Sequence, residues 1–535
     1  MVNKALFQTT RGQFTPEATA QNLAGGKAYE MSKEHQLAQY AVTGCMTSTF
    51  YASATSQLDQ VLELCKDLDS KYVAQVAIYA REKGFMKDIP ALLCAILASR
   101  GAEEFKTVFP RVINTGKMLK NFVQIIRSGV TGRKSFGTRI KKAIQNWLNE
   151  VPEFRLLEAY IGNDPSLADV IKMVHPKPLG YEREAFFAWV IGKDYDDEVF
   201  PLSECPENRI PITNLPPITK SYVDYKKNKT LPVPEVPFQM LTSLDMGAKE
   251  WAQVALNSGW HMVRMNLNTF ARHGVYQEAG LTEAIAKKLV DKEAIAKAKV
   301  FPYQLMTAYL NANEELPFEI KEALQDALEI SLHNVPKFDN PAVVCVDVSG
   351  SMGSPVTGQR GTATSKMRCI DVAGLMGAAI FKQNPKSGVV AFAEDVVRTN
   401  LNPRDSVMTT ARQLASFHGG GTNCAAPLAR MIQSNIRCDL VIYVSDNESW
   451  MGQGGLTLHR STNMMYLWNQ YKVNNPNAKL VCIDITPNAT SQAIERKDIL
   501  NIGGFSDNVF TMIDLFVNDK MDPNHWVGEI KKIEV

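Results

Sequence analysis

Residues 342–352 read AVVCVDVSGSM, and within these eleven positions the chain passes from an unbroken apolar run to a cluster of oxygen-bearing side chains. An apolar run of strand length without alternation marks a strand buried on both faces. Three more follow, GVVAF at 388–392, LVIYV at 440–444 and KLVCIDI at 479–485, interleaved with helical stretches at 366–383, 403–416 and 424–436. That alternation predicts a doubly wound parallel sheet over residues 338–535.

Open α/β sheets bind ligands where their strands end. The first run ends in Asp347-Val348-Ser349-Gly350-Ser351, a later loop supplies Gly419-Gly420-Gly421-Thr422, and LVIYV runs directly into Ser445-Asp446-Asn447. This order of DxSxS, Gly-Thr loop and strand-end Asp resembles the metal-ion-dependent adhesion site of von Willebrand factor A domains. Asp347, Ser349, Ser351, Thr422 and Asp446 carry hard oxygen donors, suited to a divalent metal and above all to Mg²⁺ that keeps several waters. A chance loop would explain DxSxS alone; three elements in order on matching secondary structure point to a metal. Asp347 as a phosphoryl-accepting nucleophile would need a Lys and a further acid that the pattern does not supply.

Upstream the texture differs. From about 35 to 200 apolar residues recur at helical spacing in short blocks. In one, Ile140, Ala143, Ile144, Trp147 and Leu148 share a face opposite Arg139, Lys142, Asn146 and Asn149. Residues 201–237 hold eight prolines, including Pro216-Pro217, and read as a long surface excursion or linker. Helical spacing resumes at 243–257, 260–273, 281–299, 302–313 and 317–332, which predicts stacked helix pairs of a HEAT-like solenoid over 1–337, without a strict sequence repeat.

With 58 basic and 56 acidic residues the formal charge is +2, so any basic surface must come from local segregation. It does: between Arg111 and Trp147 lie nine basic residues and no Asp or Glu. Lys120, Arg127, Arg133, Lys134, Arg139, Lys141 and Lys142 lie on or beside the amphipathic block, and His175 and Lys177, with Lys172, form a second cluster. A solvated helix face is the ordinary explanation of such a run; the missing carboxylates favour polyanion binding instead. Phe122, Phe136 and Trp147 interleave with the bases, and Trp147, on the apolar side, is expected in the core rather than under a stacked base.

Other functions lack their signatures. GVTGRKS at 129–135 and Gly25-Gly26-Lys27 fall short of a phosphate loop, the eight histidines and nine scattered cysteines show no zinc or CxxC spacing, and no nucleophile elbow occurs. Reduced cysteines, no apolar leader and no stretch of about twenty apolar residues predict a cytoplasmic protein away from membranes.

QLAQYAVTGCMTSTFY near the start, FGTRIKKAIQNWLN at 136–149, VIKMVHPKP at 170–178 and VFPYQLMTAY at 300–309 resemble the TROVE module of the Ro autoantigen family, bacterial type. VVCVDVSGSM, GGGTNCAAPL and VSDNESW complete the Ro arrangement. The resemblance implies a ring of HEAT-like helical repeats followed by the A domain. It further implies binding of Y-like small noncoding RNA on a basic surface and of single-stranded ends of misfolded RNA, and tethering to an exoribonuclease through RNA. His175 matches a histidine associated with Y RNA contact in vertebrate relatives, and Arg139, Lys141 and Lys142 match the basic helix. Where those relatives carry basic residues upstream of His175, this chain has Glu158, Gly162 and Asp164. KKNK at 226–229 would extend the RNA surface. The expected protein is thus a monomeric, noncatalytic RNA binder; the rival is an adaptor whose A domain captures a partner's acidic side chain through Mg²⁺. A hydrolase at Asp347 and Asp446 would have to turn over RNA.

Overall fold

The computed structural model describes residues 15–44, 46–196, 209–211, 214–298, 302–332, 335–358, 367–417, 419–451 and 460–535. The chain divides into two compact units, Met1–Ile89 with Ala286–Glu534, and Pro90–Ile285. The expected boundary at 337/338 marks the change of secondary structure, whereas compactness groups the first helices and the last ones before the sheet with the sheet itself.

In the first unit a six-stranded sheet is ordered Ile499–Gly503, Lys479–Asp484, Leu440–Ser445, Ala342–Asp347, Gly388–Phe392 and Val396–Val397. The first five run parallel and the last, a two-residue edge, pairs antiparallel with Gly388–Phe392. Ala342–Asp347 and Leu440–Ser445 are buried at every position, which is why neither alternates in sequence. The chain winds one way from Ala342–Asp347 through Gly388–Phe392, then crosses to Leu440–Ser445 and winds the other way. The reversal leaves a crevice at the carboxyl ends of these two central strands. All four strand runs read from sequence are present. The fifth parallel strand, Ile499–Gly503, escaped because Asn501 and Gly503 interrupt its apolar pattern; Asn501 is accommodated by bonds to Ala493 O and Glu495.

Helices occupy the second unit. Gly116–Ser128 starts at Thr115, whose side chain accepts the Met118 amide, and stops at Gly129 in the left-handed conformation (φ +81°). It crosses Glu153–Tyr160 so closely that a β-carbon on Gly116 would lie 2.3 Å from the Ala159 backbone. Thr138–Glu150 buries Ile140, Ile144, Trp147 and Leu148, the face expected, with Ala143 half-buried at its margin. Trp147 is core, its indole N–H donating to Ile113 O at 2.7 Å.

Two expectations need correction. Within the proline-rich stretch, Pro217–Lys227 is a helix. Pro217 occupies its first turn, where the missing N–H costs nothing, and Glu153 accepts the next two amides, Ile218 at 3.1 Å and Thr219 at 2.5 Å. The segments read as single helices over 260–273 and 281–299 are each two: Trp260–Met265 and Leu267–Arg272 meet at Asn266, and Asp291 caps Lys292–Ala298 after Leu281–Leu289 has ended. Among the described residues no helix is long and apolar enough to cross a membrane.

Candidate metal and nucleic-acid sites

The crevice of the sheet gathers all five predicted metal ligands, and each is buried. Asp347 ends its strand and Asp446 follows the neighbouring one. Backbone bonds stitch the two loops between them: Val348 N–H to Phe392 O at 2.8 Å, Gly350 N–H to Gly420 O at 2.9 Å and Gly419 N–H to Val348 O at 3.0 Å. Gly420, at φ +81°, allows the turn that brings Thr422 inward. Trp450 and Met451 donate their amides to Thr422 O at 3.1 and 3.0 Å, so the Gly-Thr loop and the loop after Asp446 hold each other.

The Asp347 carboxylate accepts the Ser349 amide at 2.9 Å and the Ser445 hydroxyl at 2.5 Å, while the Ser349 and Ser351 hydroxyls lie 3.3 Å apart. Neither Asp347 nor Asp446 forms an ion pair within the described residues. Burial, and then the Asp446 charge, push the Asp347 carboxyl up to about 7; burial raises Asp446 as well. Glu448, whose carboxylate accepts the Ala24 amide at 3.1 Å, is pushed up to about 8 by burial and by Asp446, and burial also raises Asp484 well above the ordinary carboxylate range. Two buried carboxylates side by side without a cation are unfavourable, and three hydroxyls complete a set of hard oxygens. The residues therefore suit a divalent cation by charge and by donor chemistry. Groups of three or more His, Cys, Asp or Glu that could hold a metal are absent among the described residues, so a cation here depends on the hydroxyls.

Sequence reasoning missed Tyr51. It belongs to the loop preceding the Ala54–Asp67 helix, which packs on the turn after DxSxS: Thr47 Oγ1 donates to Thr357 O at 2.6 Å. The half-buried Tyr51 phenol interacts with the Ser351 hydroxyl; burial and then Asp446 push it up to about 12. Phe50, largely exposed, meets the Tyr51 ring edge-on with centroids 4.7 Å apart. No motif signals this contact, since it joins residues three hundred positions apart.

In the second unit the predicted RNA-binding residues separate into three groups. Arg127, Lys134, Lys142, His175 and Lys177 are exposed, and Arg133 and Lys141 are half-buried. Among the described residues none of these Lys and Arg side chains forms an ion pair within 4 Å; Arg127, with Lys172, lies in the field of the exposed Asp169. Lys141, Gln145 and Asn149 form one stripe of Thr138–Glu150. Gln145 donates to Val174 O at 2.6 Å and Asn149 to Lys177 O at 3.0 Å, which brings His175 and Lys177 beside the basic helix.

Lys120 is a correction: it is buried and its ammonium donates to Ile161 O and Gly162 O, so it joins two helices instead of facing solvent. Arg139 is a partial one. Its guanidinium donates to Gly101 O at 2.8 Å, to Ala102 O and to Glu103 O at 3.1 Å, and lies over the Phe105 ring. That clasp occupies most of its donors. Phe122 is likewise core, stacked among Phe105 and Phe109. Of the KKNK segment, Lys226 and Lys229 lie over the rings of Tyr222 and Tyr225.

Residues 342–517, which carry the sheet and the carboxylate crevice, match the family model of the Ro60 vWA domain. The sheet domain is thus similar to the Ro60 vWA domain. The Ro likeness also reaches beyond it. A Deinococcus radiodurans protein named RNA-binding protein RO60 is 25% identical over 527 residues, covering 92% of this chain and 95% of the relative. A Caenorhabditis elegans protein of the same name is 25% identical over 179 residues, 32% of this chain and 27% of that one. The crystal structure of the Deinococcus radiodurans RO (RSR) protein superposes with a TM-score of 0.59 at 21% identity, covering 92% of this chain and all of that one. The resemblance to Ro proteins read from sequence holds, and so does the fold class of a helical region followed by a parallel-sheet A domain.

Proposed function

We propose that this chain is a noncatalytic RNA-binding protein that grips Y-like small RNAs and the single-stranded ends of misfolded RNAs. The observation that carries the reading is that Arg127, Lys134, Lys142 and Lys177 are each exposed and free of ion pairs among the described residues, in a chain whose overall charge is nearly zero. Charge of this kind contacts phosphates and supplies affinity with little sequence selectivity. The two similar proteins named RNA-binding support it. Tethering to an exoribonuclease would run through the bound RNA.

Asp347, Ser349, Ser351, Thr422 and Asp446 would hold a divalent metal, Mg²⁺ by donor type. Bound there, the ion would neutralise the two buried carboxylates and offer a coordination position to an anionic oxygen. Ser445 orients Asp347 by its hydrogen bond, and the Tyr51 phenol interacts with the Ser351 hydroxyl.

The test is RNA binding as a function of salt. Replacing Arg127, Lys134 and Lys142 together by Ala should weaken binding and reduce the slope of log affinity against log salt by about 0.7 per lost single-strand phosphate contact. Unchanged affinity and slope would remove the reading. A protein partner released by EDTA, with no RNA copurifying, would favour the adaptor.

A further inference from the structure

The Thr138–Glu150 helix has a second side that the phosphate-gripping role leaves unused. Between it and Phe105–Val112 runs a groove of about 660 Å³, within the range of small-ligand sites. Its floor is apolar, with Phe109, Ala143, Trp147 and Val151; Trp147 and Phe109 are held rigidly, one by its bond to Ile113 O and the other by packing on Phe105 and Phe122. Its rim carries four cations, Lys106, Arg139, Lys142 and Arg155, with Glu150 between them. Lys106 pairs with the exposed Glu103 and Arg155 with the half-buried Glu158, surface bonds of a kind that yield to a polyanion. Lys142 and Asn146 are exposed one turn apart on the helix and form no hydrogen bond or ion pair among the described residues. Lys142 is thus shared: it belongs to the basic surface and overhangs the groove.

An apolar slot under a row of cations matches a planar, uncharged ring joined to a charged backbone. We infer that this groove receives an unpaired nucleobase of single-stranded RNA, its flanking phosphates on Lys142 and Arg155 and its edge within reach of Asn146. This rests on the RNA-binding reading above and adds to it a site that distinguishes unpaired from paired strands, because a base within a duplex would enter only at the cost of breaking its pairing and stacking. An amphipathic protein helix would also fill an apolar slot, but only one with carboxylates along its flank would match the rim cations, whereas every nucleotide of RNA carries its phosphate.

The experiment uses the full chain and two probes of equal length, an oligoadenylate and the same sugar-phosphate backbone without bases, with affinities read by fluorescence anisotropy. The wild type should favour the oligoadenylate about tenfold or more, the expected gain from stacking a base. Ala143→Trp fills the groove without altering charge; it should abolish that preference and keep the salt slope. Lys134→Ala, outside the groove, should keep the preference and reduce the slope. Asn146→Ala, which disturbs no packing, should lower the preference even if the Trp variant folds poorly. A 2-aminopurine in the oligonucleotide should be quenched by the wild type and not by Ala143→Trp. If both groove variants retain the full preference, or if the groove binds an amphipathic peptide in competition with nothing on the RNA, the inference is overturned. If no variant and no probe shows salt-dependent binding, the RNA-binding reading itself has failed.

Discussion

Replacing Asp446 by Asn should make the metal-free protein more stable at alkaline pH while removing its response to Mg²⁺. The Asp347 carboxyl rises from the ordinary 3.8 to about 7, chiefly through burial and next through the Asp446 charge. A rise of about three units at about 1.4 kcal/mol each is a penalty on the order of 4 kcal/mol for holding Asp347 ionised in the fold. The sign follows from proton counting. Between the unfolded pKa and the folded one, the folded state binds the extra proton, so metal-free stability is greatest below about pH 4 and is lost as pH rises through about 7. Asparagine at 446 removes the like charge and the burial cost of a second carboxylate. Because burial is the larger cause at Asp347, the repulsion that Asp446 adds there is the smaller part of that penalty. Urea unfolding in EDTA near pH 5 and near pH 8 should therefore show wild type losing stability with pH more steeply than Asp446→Asn. With Mg²⁺ at about 100 times its dissociation constant the wild type should gain about 2.7 kcal/mol, and the variant much less. A variant less stable than wild type at pH 8 in EDTA, or stabilised equally by Mg²⁺, would refute the view that these carboxylates are poised for a cation.

Three further outcomes follow from the packing. Lys120→Met should cost about 1–3 kcal/mol by leaving the Ile161 and Gly162 carbonyls without their donor, with the salt slope of RNA binding unchanged; a reduced slope would return Lys120 to the binding surface. Glu153→Ala should destabilise by about 2 kcal/mol, since a charged acceptor is withdrawn from two amides and the Thr219 hydroxyl, and hydrogen exchange should localise the loss to Pro217–Lys227. Tyr51→Phe should weaken Mg²⁺ binding by about tenfold in calorimetry, as expected for a group supporting a coordinating side chain; unchanged affinity would make Tyr51 a bystander.

The sheet and its crevice were legible because both rest on local pattern. A strand buried on two faces must be apolar throughout, so Ala342–Asp347 and Leu440–Ser445 announce themselves, and the residues that end them fall at the ligand crevice by topology alone. Tyr51 was illegible because its role comes from a loop folding back across three hundred residues. The basic tract was half legible. Segregated charge shows that a cationic surface exists, but the fate of each cation depends on carbonyls that no pattern reveals: those of residues 101–103 take Arg139, and Ile161 and Gly162 take Lys120. Pro216-Pro217 misled for a similar reason, since a proline ends a helix from within and begins one from its first turn, and the capping Glu153 lies some sixty positions upstream.

RNA should lie on the surface around Gly116–Ser128 and Thr138–Glu150. Ultraviolet crosslinking of the protein to its bound RNA in cells, followed by mass spectrometry of the crosslinked peptides, addresses it most directly. Adducts should concentrate in peptides spanning 105–155 and 172–179; adducts confined to the A domain, with none in those peptides, would show that the RNA lies elsewhere.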